Sequence, residues 1–342
     1  MELNKYDFPP DCWNEFVENH PNGRLYHLSQ WNELIRSTFG HSIVYFVLKN
    51  EKGLGGILPL TEFKTLLFGK FSVSLPFINY GGPLISDTKY YLDVFNYLEE
   101  YRESSNFDFI ELRMDSFFET KLPYKKHKVT FVKKLPNDSE ILMDSFNSKL
   151  RSQIRRPSKE GMYSKSGLVD LVGDFYKVYS VNMRDLGTPA LPKSFFRNVL
   201  DKFPQNASII CVYSREGKPV AVSFLIIYKN ICEIPWASSL REYNKFSPNM
   251  LLYWESFKYA IERGCFQFDM GRCTPDTGTY RFKRQWDAEE KQLYWYYAIP
   301  DFETLPELNP NNPKFNLLIK TWQKLPVMIT NSISPLIIKN IP

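Results

Sequence analysis

Hydrophobic positions in the second half of the chain alternate between the period of a helix and that of a strand. Apolar residues of 168–186 and of PKSFFRNVLDKFP recur at helical spacing. ASIICVYS, PVAVSFLIIY and ICEIPWAS then predict three strands. The middle one is apolar on both faces, which is typical of a central strand. A helix follows that begins at Ser247-Pro248 and ends at Gly264, then the strand CFQFDM, the segment GRCTPDTGTYRFKRQW and the strand KQLYWYYAI.

The first half follows a similar order. HSIVYFVLKN and ILPLTEF predict a hairpin, followed by a helix over roughly 88–105 and the strands DFIELRM and VTFVKKL. Residues 138–160 predict a basic helix that ends or kinks near Arg156, because Pro157 follows. We therefore predict two versions of one α+β unit with mixed sheets, over 1–145 and 146–300, and a tail over 301–342.

Composition narrows the class of protein without choosing a function. The 342 residues carry a net charge of +5, far from the strongly basic surface of a dedicated nucleic-acid binder. Five scattered cysteines without a C-x-x-C spacing predict no zinc site and indicate a reducing compartment. The chain lacks a signal-peptide pattern and an apolar run of membrane-spanning length, so we expect a cytoplasmic protein.

Common compact motifs are absent. The sequence contains no G-x-S-x-G, no P-loop and no dinucleotide fingerprint, and its four histidines have no metal-ligand spacing. NEKGLGG partly mimics a pyrophosphate-binding loop, but it joins two predicted strands and is interpreted as a hairpin turn. We therefore predict neither a metal nor a cofactor.

The tail has two interpretations. It is rich in Pro and Asn, then carries two short amphipathic segments and the lysines Lys314, Lys320, Lys324 and Lys339. We predict that it packs back on a domain. The alternative is peripheral contact with the inner face of a membrane.

Candidate chemistry concentrates in the second half. In GTYRFKRQW, three cations alternate with bulky aromatics, which indicates either an ordinary amphipathic segment or a walled site for an anion. Glu233 lies in an apolar strand beside Pro235, where burial would raise the pKa of its carboxyl and make it a general base, unless it pairs with an arginine. Arg184 lies off the apolar stripe of its helix and is directed to solvent or into a cleft.

The chain resembles the Fem family, the aminoacyl-tRNA-dependent transferases that build peptidoglycan cross-bridges. It looks closest to the FemAB-related branch associated with exosortase/PEP-CTERM systems. The segments that carry the resemblance are HLSQWNELIRSTFGH, PFINYGGPL, KLRSQIRRPSKEG, VNMRDLGTPALPKSFF, EIPWASSLREYNKFSPNMLLYW, FDMGRCTPDTGTYRFKRQWDAEEKQLYW and KFNLLIKTWQKLPVMITNSISPLI.

The resemblance implies two tandem GNAT-like domains and an N-acyltransferase. Phe282 and Lys283 match a Phe-Lys pair of the acyl-transfer site, in which the lysine stabilises developing negative charge. Arg184 matches an arginine that holds acceptor phosphates, and Arg36 lies one position from a first-domain cation with a similar role. The predicted catalytic residues are Lys283, Phe282 and Glu233. The predicted substrate-binding residues are Arg184, Arg36, Arg281, Arg272, Asn249, Trp236 and Tyr280.

Three functions stay open at this point. The first is aminoacyl transfer from charged tRNA to an amine of a phosphate-bearing cell-wall or lipid-linked polysaccharide precursor. The second is acyl-CoA-dependent acylation of an amino sugar in exopolysaccharide synthesis, which the same fold would serve. The third is a non-catalytic binding protein of polysaccharide assembly.

Overall fold

The computed structural model describes residues 2–51, 53–65, 68–300, 305–306 and 316–342, so Lys314 and parts of the predicted tail lie outside the described residues. The strands are β1 (Glu2–Tyr6), β2 (Ser42–Asn50), β3 (Gly53–Thr65), β4 (Gly69–Val73), β5 (Leu84–Ile85), β6 (Phe109–Met114), β7 (Tyr124–Lys125), β8 (Val129–Lys134), β9 (Tyr163–Gly167), β10 (Ala207–Tyr213), β11 (Pro219–Tyr228), β12 (Ile231–Ser239), β13 (Gln267–Cys273), β14 (Glu289–Gln292) and β15 (Tyr294–Ala298). The α-helices are α1 (Trp13–Asn19), α2 (Ser29–Phe39), α3 (Tyr91–Ser104), α4 (Ser139–Ser145), α5 (Ser148–Lys159), α6 (Val172–Leu186), α7 (Lys193–Lys202), α8 (Pro248–Glu262), α9 (Gly278–Arg284), α10 (Asn316–Trp322) and α11 (Val327–Ile338).

Two compact units are each built around one mixed sheet. The first sheet has the order β1-β2-β3-β4-β6-β15-β7, with β5 paired to β3, and the second has the order β9-β10-β11-β12-β13-β8-β14. The two orders correspond strand for strand. In each, the fourth and fifth strands are parallel and are joined through a helix, α3 in the first unit and α8 in the second. The predicted α+β class, with two versions of one unit, is confirmed.

The compact units differ from the predicted domains 1–145, 146–300 and 301–342. Unit 1 comprises Met1–Lys128, Gln292–Asn309 and Lys339–Pro342, and unit 2 comprises Val129–Lys291 and Pro310–Ile338. The cause is the pairing of two strands. β8 pairs with β13 in the second sheet, and β15 pairs with β6 in the first. Most of the tail that the structure describes therefore belongs to unit 2.

The helix that joins the parallel strands of unit 2 is held by its apolar side chains. Leu252, Phe257 and Ala260 of α8 are fully buried in the core of this unit. Pro248 occupies the first turn, as predicted, and Gly264 follows the helix end with φ +72°. Ser247 is the N-cap residue of this helix. This residue adopts φ +58° and its hydroxyl makes no capping hydrogen bond.

The predicted break at Pro157 is wrong, because α5 continues to Lys159. Pro157 stands in the last turn and removes one hydrogen bond to the carbonyl four residues earlier, and the helix ends two residues beyond it. Its ring is buried, and its carbonyl accepts the N–H groups of Glu160 and Met162 that close the helix end. None of the described helices combines the length and hydrophobicity of a bilayer span.

Candidate active site

The parallel strands β12 and β13 pair at one end and then separate. Their described ladder ends at Glu233 opposite Asp269, although both strands continue. Next to this point the pairing of β12 with β11 shifts in register. Phe224 faces Trp236 but Ile226 faces Glu233, so β12 has one residue more than β11 over this stretch. The extra residue lies at Ile234 or Pro235, and proline is tolerated at a bulge because it has no N–H to donate to the ladder. The place where two parallel strands separate is called a fork below, and in unit 2 it follows Glu233 and Asp269. Backbone groups that leave the ladder at such a fork are available to bind a substrate.

A second bulge follows in β13. Asp269 faces Val132 of β8, but Arg272 faces Thr130, so β13 has one extra residue here. Gly271 adopts φ +73°, a conformation that side chains other than glycine rarely tolerate. The Asp269 carboxylate fixes this turn because its Oδ1 accepts hydrogen bonds from the Gly271 N–H at 2.8 Å and the Thr130 hydroxyl at 2.5 Å. The bulge therefore presents the carbonyls of Gly271 and Arg272 away from the regular ladder.

Lys283 reaches these two carbonyls from α9. The helix starts after Thr277, whose hydroxyl accepts the Tyr280 N–H at 3.3 Å. Lys283 is only 3% exposed, and its Nζ donates to the Gly271 carbonyl at 2.6 Å and the Arg272 carbonyl at 3.1 Å. An ammonium group has three donors. Two fixed acceptors therefore orient the group and leave the third N–H for a substrate oxygen.

Burial sets the protonation of Lys283. Desolvation lowers the pKa of its ammonium group to about 8, and the nearby Cys273 and Asp269 oppose this shift. The side chain is therefore mostly charged near pH 7 and loses its proton on moderate alkalinisation. A charged donor in such an environment stabilises an oxyanion more strongly than one in water.

Aromatic side chains form a wall beside Lys283. Phe282 packs edge-on against Tyr253 at 4.8 Å between ring centroids and against Trp286 at 6.2 Å. Trp286 is fully buried and also contacts Phe257 at 5.2 Å. The alternating cations and aromatics of this segment thus divide between two faces of α9, with Phe282 and Lys283 turned inward.

The other predicted residues of this segment face outward. Arg281 is exposed, and its Nη1 donates to the Asp276 carbonyl at 2.9 Å. The Tyr280 hydroxyl donates to Glu290 Oε2 at 2.7 Å, and this hydrogen bond raises the pKa of the phenol.

Two further predicted residues lie on the strands of the fork. Arg272 contributes its carbonyl to the Lys283 site. Glu233 is 6% exposed and lies at the fork, opposite Asp269 in the ladder.

A cavity of about 780 Å³ lies elsewhere in unit 2, with Arg184 in its wall. The Arg184 guanidinium donates from Nε and Nη2 to Asp185 Oδ1 at 2.9 and 2.7 Å. Further charged side chains of this wall were not predicted, because most of them are far from Arg184 in the sequence and only Lys177 shares its helix. They are Lys177, Lys193, Lys218, Arg241 and Glu242.

Three further predicted residues have local partners. Trp236 packs against the aromatic rings of Phe195, Phe196 and Phe224. Asn249, in the first turn of α8, donates to the Ser239 hydroxyl at 3.0 Å. Arg36 belongs to α2 of unit 1, where it donates to the Asp7 carbonyl at 3.1 Å and stacks on Phe8 at 5.3 Å. The structure thus brings Lys283 together with the Arg272 carbonyl, beside Phe282, whereas Glu233 lies on β12 opposite Asp269 and Arg184 lies in the cavity wall.

Comparison with known proteins explains the arrangement. Residues 145–284 match the family described as "Acetyltransferase (GNAT) domain". This match lies within unit 2. A curated relative, the UDP-N-acetylmuramoylpentapeptide-lysine N(6)-alanyltransferase of Weissella viridescens, is 24% identical over 177 residues. This alignment spans 50% of the chain and 52% of the relative, so the chain matches about half of the relative's length.

Solved structures extend the likeness in fold to both units. The crystal structure of FemX superposes with a TM-score of 0.64 at 14% identity and covers 92% of this chain and 100% of that one. A tandem GNAT protein from the clavulanic acid biosynthesis pathway gives a TM-score of 0.53 at 10% identity, over 88% of this chain and 100% of that one. The predicted tandem GNAT-like fold is confirmed. The match to the acetyltransferase family and the aminoacyltransferase relative support the prediction of an acyltransferase.

The described residues contain no group of three or more His, Cys, Asp or Glu side chains placed to hold a metal ion.

Proposed function

We propose that the protein transfers an aminoacyl group from aminoacyl-tRNA to an amine of a cell-wall or lipid-linked surface-polysaccharide precursor. One observation carries the proposal. A buried lysine in a GNAT domain is held by two backbone carbonyls at the fork of the parallel strands. The alanyltransferase relative, whose name states transfer of an amino acid to a lysine amine, supports the choice of an aminoacyl donor.

The chemistry assigns a task to each side chain. The acceptor amine attacks the ester carbonyl of the donor, a C–N bond forms and negative charge develops on the carbonyl oxygen. The third N–H of Lys283 donates to that oxygen, and Phe282 keeps water from it. The ester C–O bond then breaks, and the leaving ribose oxygen takes up a proton. Glu233 is the candidate to receive the proton that the amine loses.

The cavity around Arg184 suits the phosphates of the acceptor. Its wall carries five cationic side chains, those of Lys177, Arg184, Lys193, Lys218 and Arg241, against the two carboxylates of Asp185 and Glu242. Arginine binds phosphate through two parallel hydrogen bonds. Arg184 already uses two donors on Asp185, which fixes its guanidinium plane before a ligand arrives.

An acyl-CoA donor is the second candidate, and the family match to acetyltransferases favours it. The same fork and the same Lys283 would then act on a thioester, with an amino sugar as acceptor. An exopolysaccharide acceptor, the exosortase-associated branch and a cytoplasmic site of action stay predictions. A non-catalytic binding protein would not need the buried cation at the fork.

The test compares Lys283→Ala with Arg284→Ala, a neighbouring exposed cation on the same helix. Purified protein is incubated with a mixed charged-tRNA pool, or with acetyl-CoA, and with extracted cell-envelope precursors. Mass spectrometry then measures the mass added to the acceptor. We expect an amino-acid increment whose rate falls by about 10² to 10³ in Lys283→Ala and stays near wild type in Arg284→Ala.

Each of the other outcomes decides against part of the proposal. An acetyl increment would move the protein to the CoA-dependent class while keeping the site. A full rate in folded Lys283→Ala would overturn the role of this lysine. Absence of turnover with both donors would support a binding protein.

A further inference from the structure

Helix α11 buries polar side chains and exposes large apolar ones. The side chains that it buries against unit 2 are Thr330, Ser334 and Ile338, two of which are polar. The Ser334 hydroxyl accepts the Ala190 N–H at 3.1 Å, so the polar side is bonded to the protein. The opposite side exposes Met328 by 77% and Leu336 by 64%. A helix that covered only its own domain would bury these large apolar side chains instead.

Helix α10 also exposes large apolar side chains. Leu317 and Leu318 are 76% and 65% exposed. The inward side is fixed by Gln323, just beyond the helix end, which donates to the Asp185 carbonyl at 3.0 Å. Ile319 lies so close to Gly187 that a Cβ on this glycine would stand 2.4 Å from Ile319 Cγ2. Both helices are therefore anchored to unit 2 and direct leucine and methionine side chains outward.

The charged side chains of this segment are all positive. Residues 316–342 contain the lysines Lys320, Lys324 and Lys339 and no aspartate or glutamate. Lys320 and Lys324 are exposed on the same stretch as Leu317 and Leu318. Exposed apolar side chains flanked by lysines alone are typical of helices that lie in the interface of an anionic bilayer.

We propose that the outer face of α10 and α11, formed by Leu317, Leu318, Met328 and Leu336 with Lys320 and Lys324, docks on an anionic lipid bilayer. The apolar side chains enter the boundary between headgroups and acyl chains, and the lysines lie among anionic headgroups. A second copy of this chain fits less well, because a symmetric contact would bring lysines against lysines without a carboxylate in the segment.

Helix α11, which carries Met328 and Leu336 of the docking surface, also forms part of the wall of the cavity that contains Arg184. Val327 and Asn331 of α11 line that cavity, and Asp185, which holds Arg184, accepts the Gln323 amide through its carbonyl. A bilayer at the outer face of α11 would thus lie one helix away from the proposed phosphate site. This last step rests on the proposed function, and it favours an acceptor whose phosphates carry a lipid over a water-soluble one.

The experiment measures flotation of the full chain with phosphatidylcholine vesicles, with and without phosphatidylglycerol. Wild type is compared with Met328→Ser/Leu336→Ser and with Ile141→Ser/Phe266→Ser. The control pair is 57% exposed at each position and lies outside the docking surface. We expect binding to anionic vesicles, weakened at least about tenfold in the α11 variant and unchanged in the control. Binding should also fall with added salt.

Sedimentation velocity without vesicles tests the competing occupant of this face, a second copy of the chain. If wild type fails to float with anionic vesicles, or if the α11 variant floats as well as the control, the proposal is wrong. A dimer that the α11 substitutions dissociate, without vesicle binding, would assign the face to a second copy. Lys283→Ala should float like wild type, so failure of the catalytic proposal would leave this result standing.

Discussion

The molecule contains two parallel strand pairs of the same design, and they differ in what fills the space where the strands part. In unit 1, β4 and β6 pair from Phe71 opposite Phe109 to Val73 opposite Glu111. In unit 2, β12 and β13 pair over an equally short ladder. Each pair is joined through a helix and is flanked by antiparallel strands. Differences between the two forks are therefore differences of side chains and loops on a shared framework.

The fork of unit 1 is closed by groups that bind one another. Arg113 is 2% exposed; its Nε donates to Glu111 Oε1 at 2.8 Å and its Nη1 to the Ile78 carbonyl at 3.1 Å. The other oxygen of Glu111 accepts the Tyr297 hydroxyl at 2.9 Å. The N–H groups of Gly81 and Gly82 both donate to the Arg113 carbonyl.

The fork of unit 2 holds its cation differently. Lys283 is bound by two neutral carbonyls, and one N–H direction remains for a ligand. The same pair of parallel strands thus holds a closed ion pair in unit 1 and a cation bound by neutral carbonyls in unit 2. A buried cation alone does not identify the site; the acceptors that surround it do.

The largest expected effect is on the stability of unit 1. Arg113→Met leaves the Glu111 carboxylate buried without its cation, which typically costs about 3 to 5 kcal/mol. Denaturant unfolding measures the loss. Glu111→Leu/Arg113→Met should recover most of it, because both charges are then removed. If folded Arg113→Met instead lost transfer activity at unchanged stability, the fork of unit 1 would be part of the catalytic site.

The next effect concerns the bulge in unit 2. At Gly271, with φ +73°, alanine would be strained by about 1 kcal/mol or more. The strain would shift the carbonyl that holds Lys283, and we expect the transfer rate to fall about tenfold or more. Gly264→Ala is the matched control, because it has φ +72° at the end of α8. Its stability loss should be similar and its rate unchanged. Equal rates in the two variants would show that the bulge does not position Lys283.

Much of the fold could be predicted from the sequence, in particular the positions of helices and strands. The period of the apolar residues gave the hairpin of β2 and β3, the helix α8 and the order of strands in unit 2. Lys283 and Phe282 were found through the resemblance to the Fem family. Asp269, which fixes the bulge through Gly271 and Thr130, was not among the predicted site residues. The pattern D-x-G at a strand end was the available signal.

The exchange of strands could not be predicted in this way. β8 and β15 both have the apolar pattern of a buried strand, and that pattern states only that a strand has neighbours. The neighbours are fixed by pairing of distant segments, as when Tyr296 faces Leu112 and Asp269 faces Val132. The cavity around Arg184 could not be predicted for the same reason, since its charged residues lie on α6, on α7, just before β11 and just after β12, and meet only when these elements have packed.

A smaller effect tests the charge state at the fork of unit 2. The pKa of Lys283 is about 8, below its ordinary value, so the ammonium form is lost as pH rises through that value. If the charged form is required, kcat/KM should decline above about pH 8, by roughly tenfold per pH unit. Lys283→Arg is the control, because arginine stays charged and its residual rate should lack this decline. A decline at the same pH in the arginine variant would assign it to the substrate.

The smallest expected effect is a shift of that pH profile when the neighbouring charge is removed. Desolvation is the main cause of the lowered pKa of Lys283, and the Asp269 charge opposes it. Asp269→Asn keeps an oxygen for the Gly271 and Thr130 hydrogen bonds but loses the charge. The alkaline decline should therefore move to lower pH, by less than about one unit, which corresponds to about 1.4 kcal/mol. Asp201→Asn, an exposed carboxylate on α7, should leave the profile in place. A shift to higher pH in Asp269→Asn would mean that Asp269 acts on Lys283 chiefly by shaping the bulge, and the fork would then depend on backbone geometry rather than on charge.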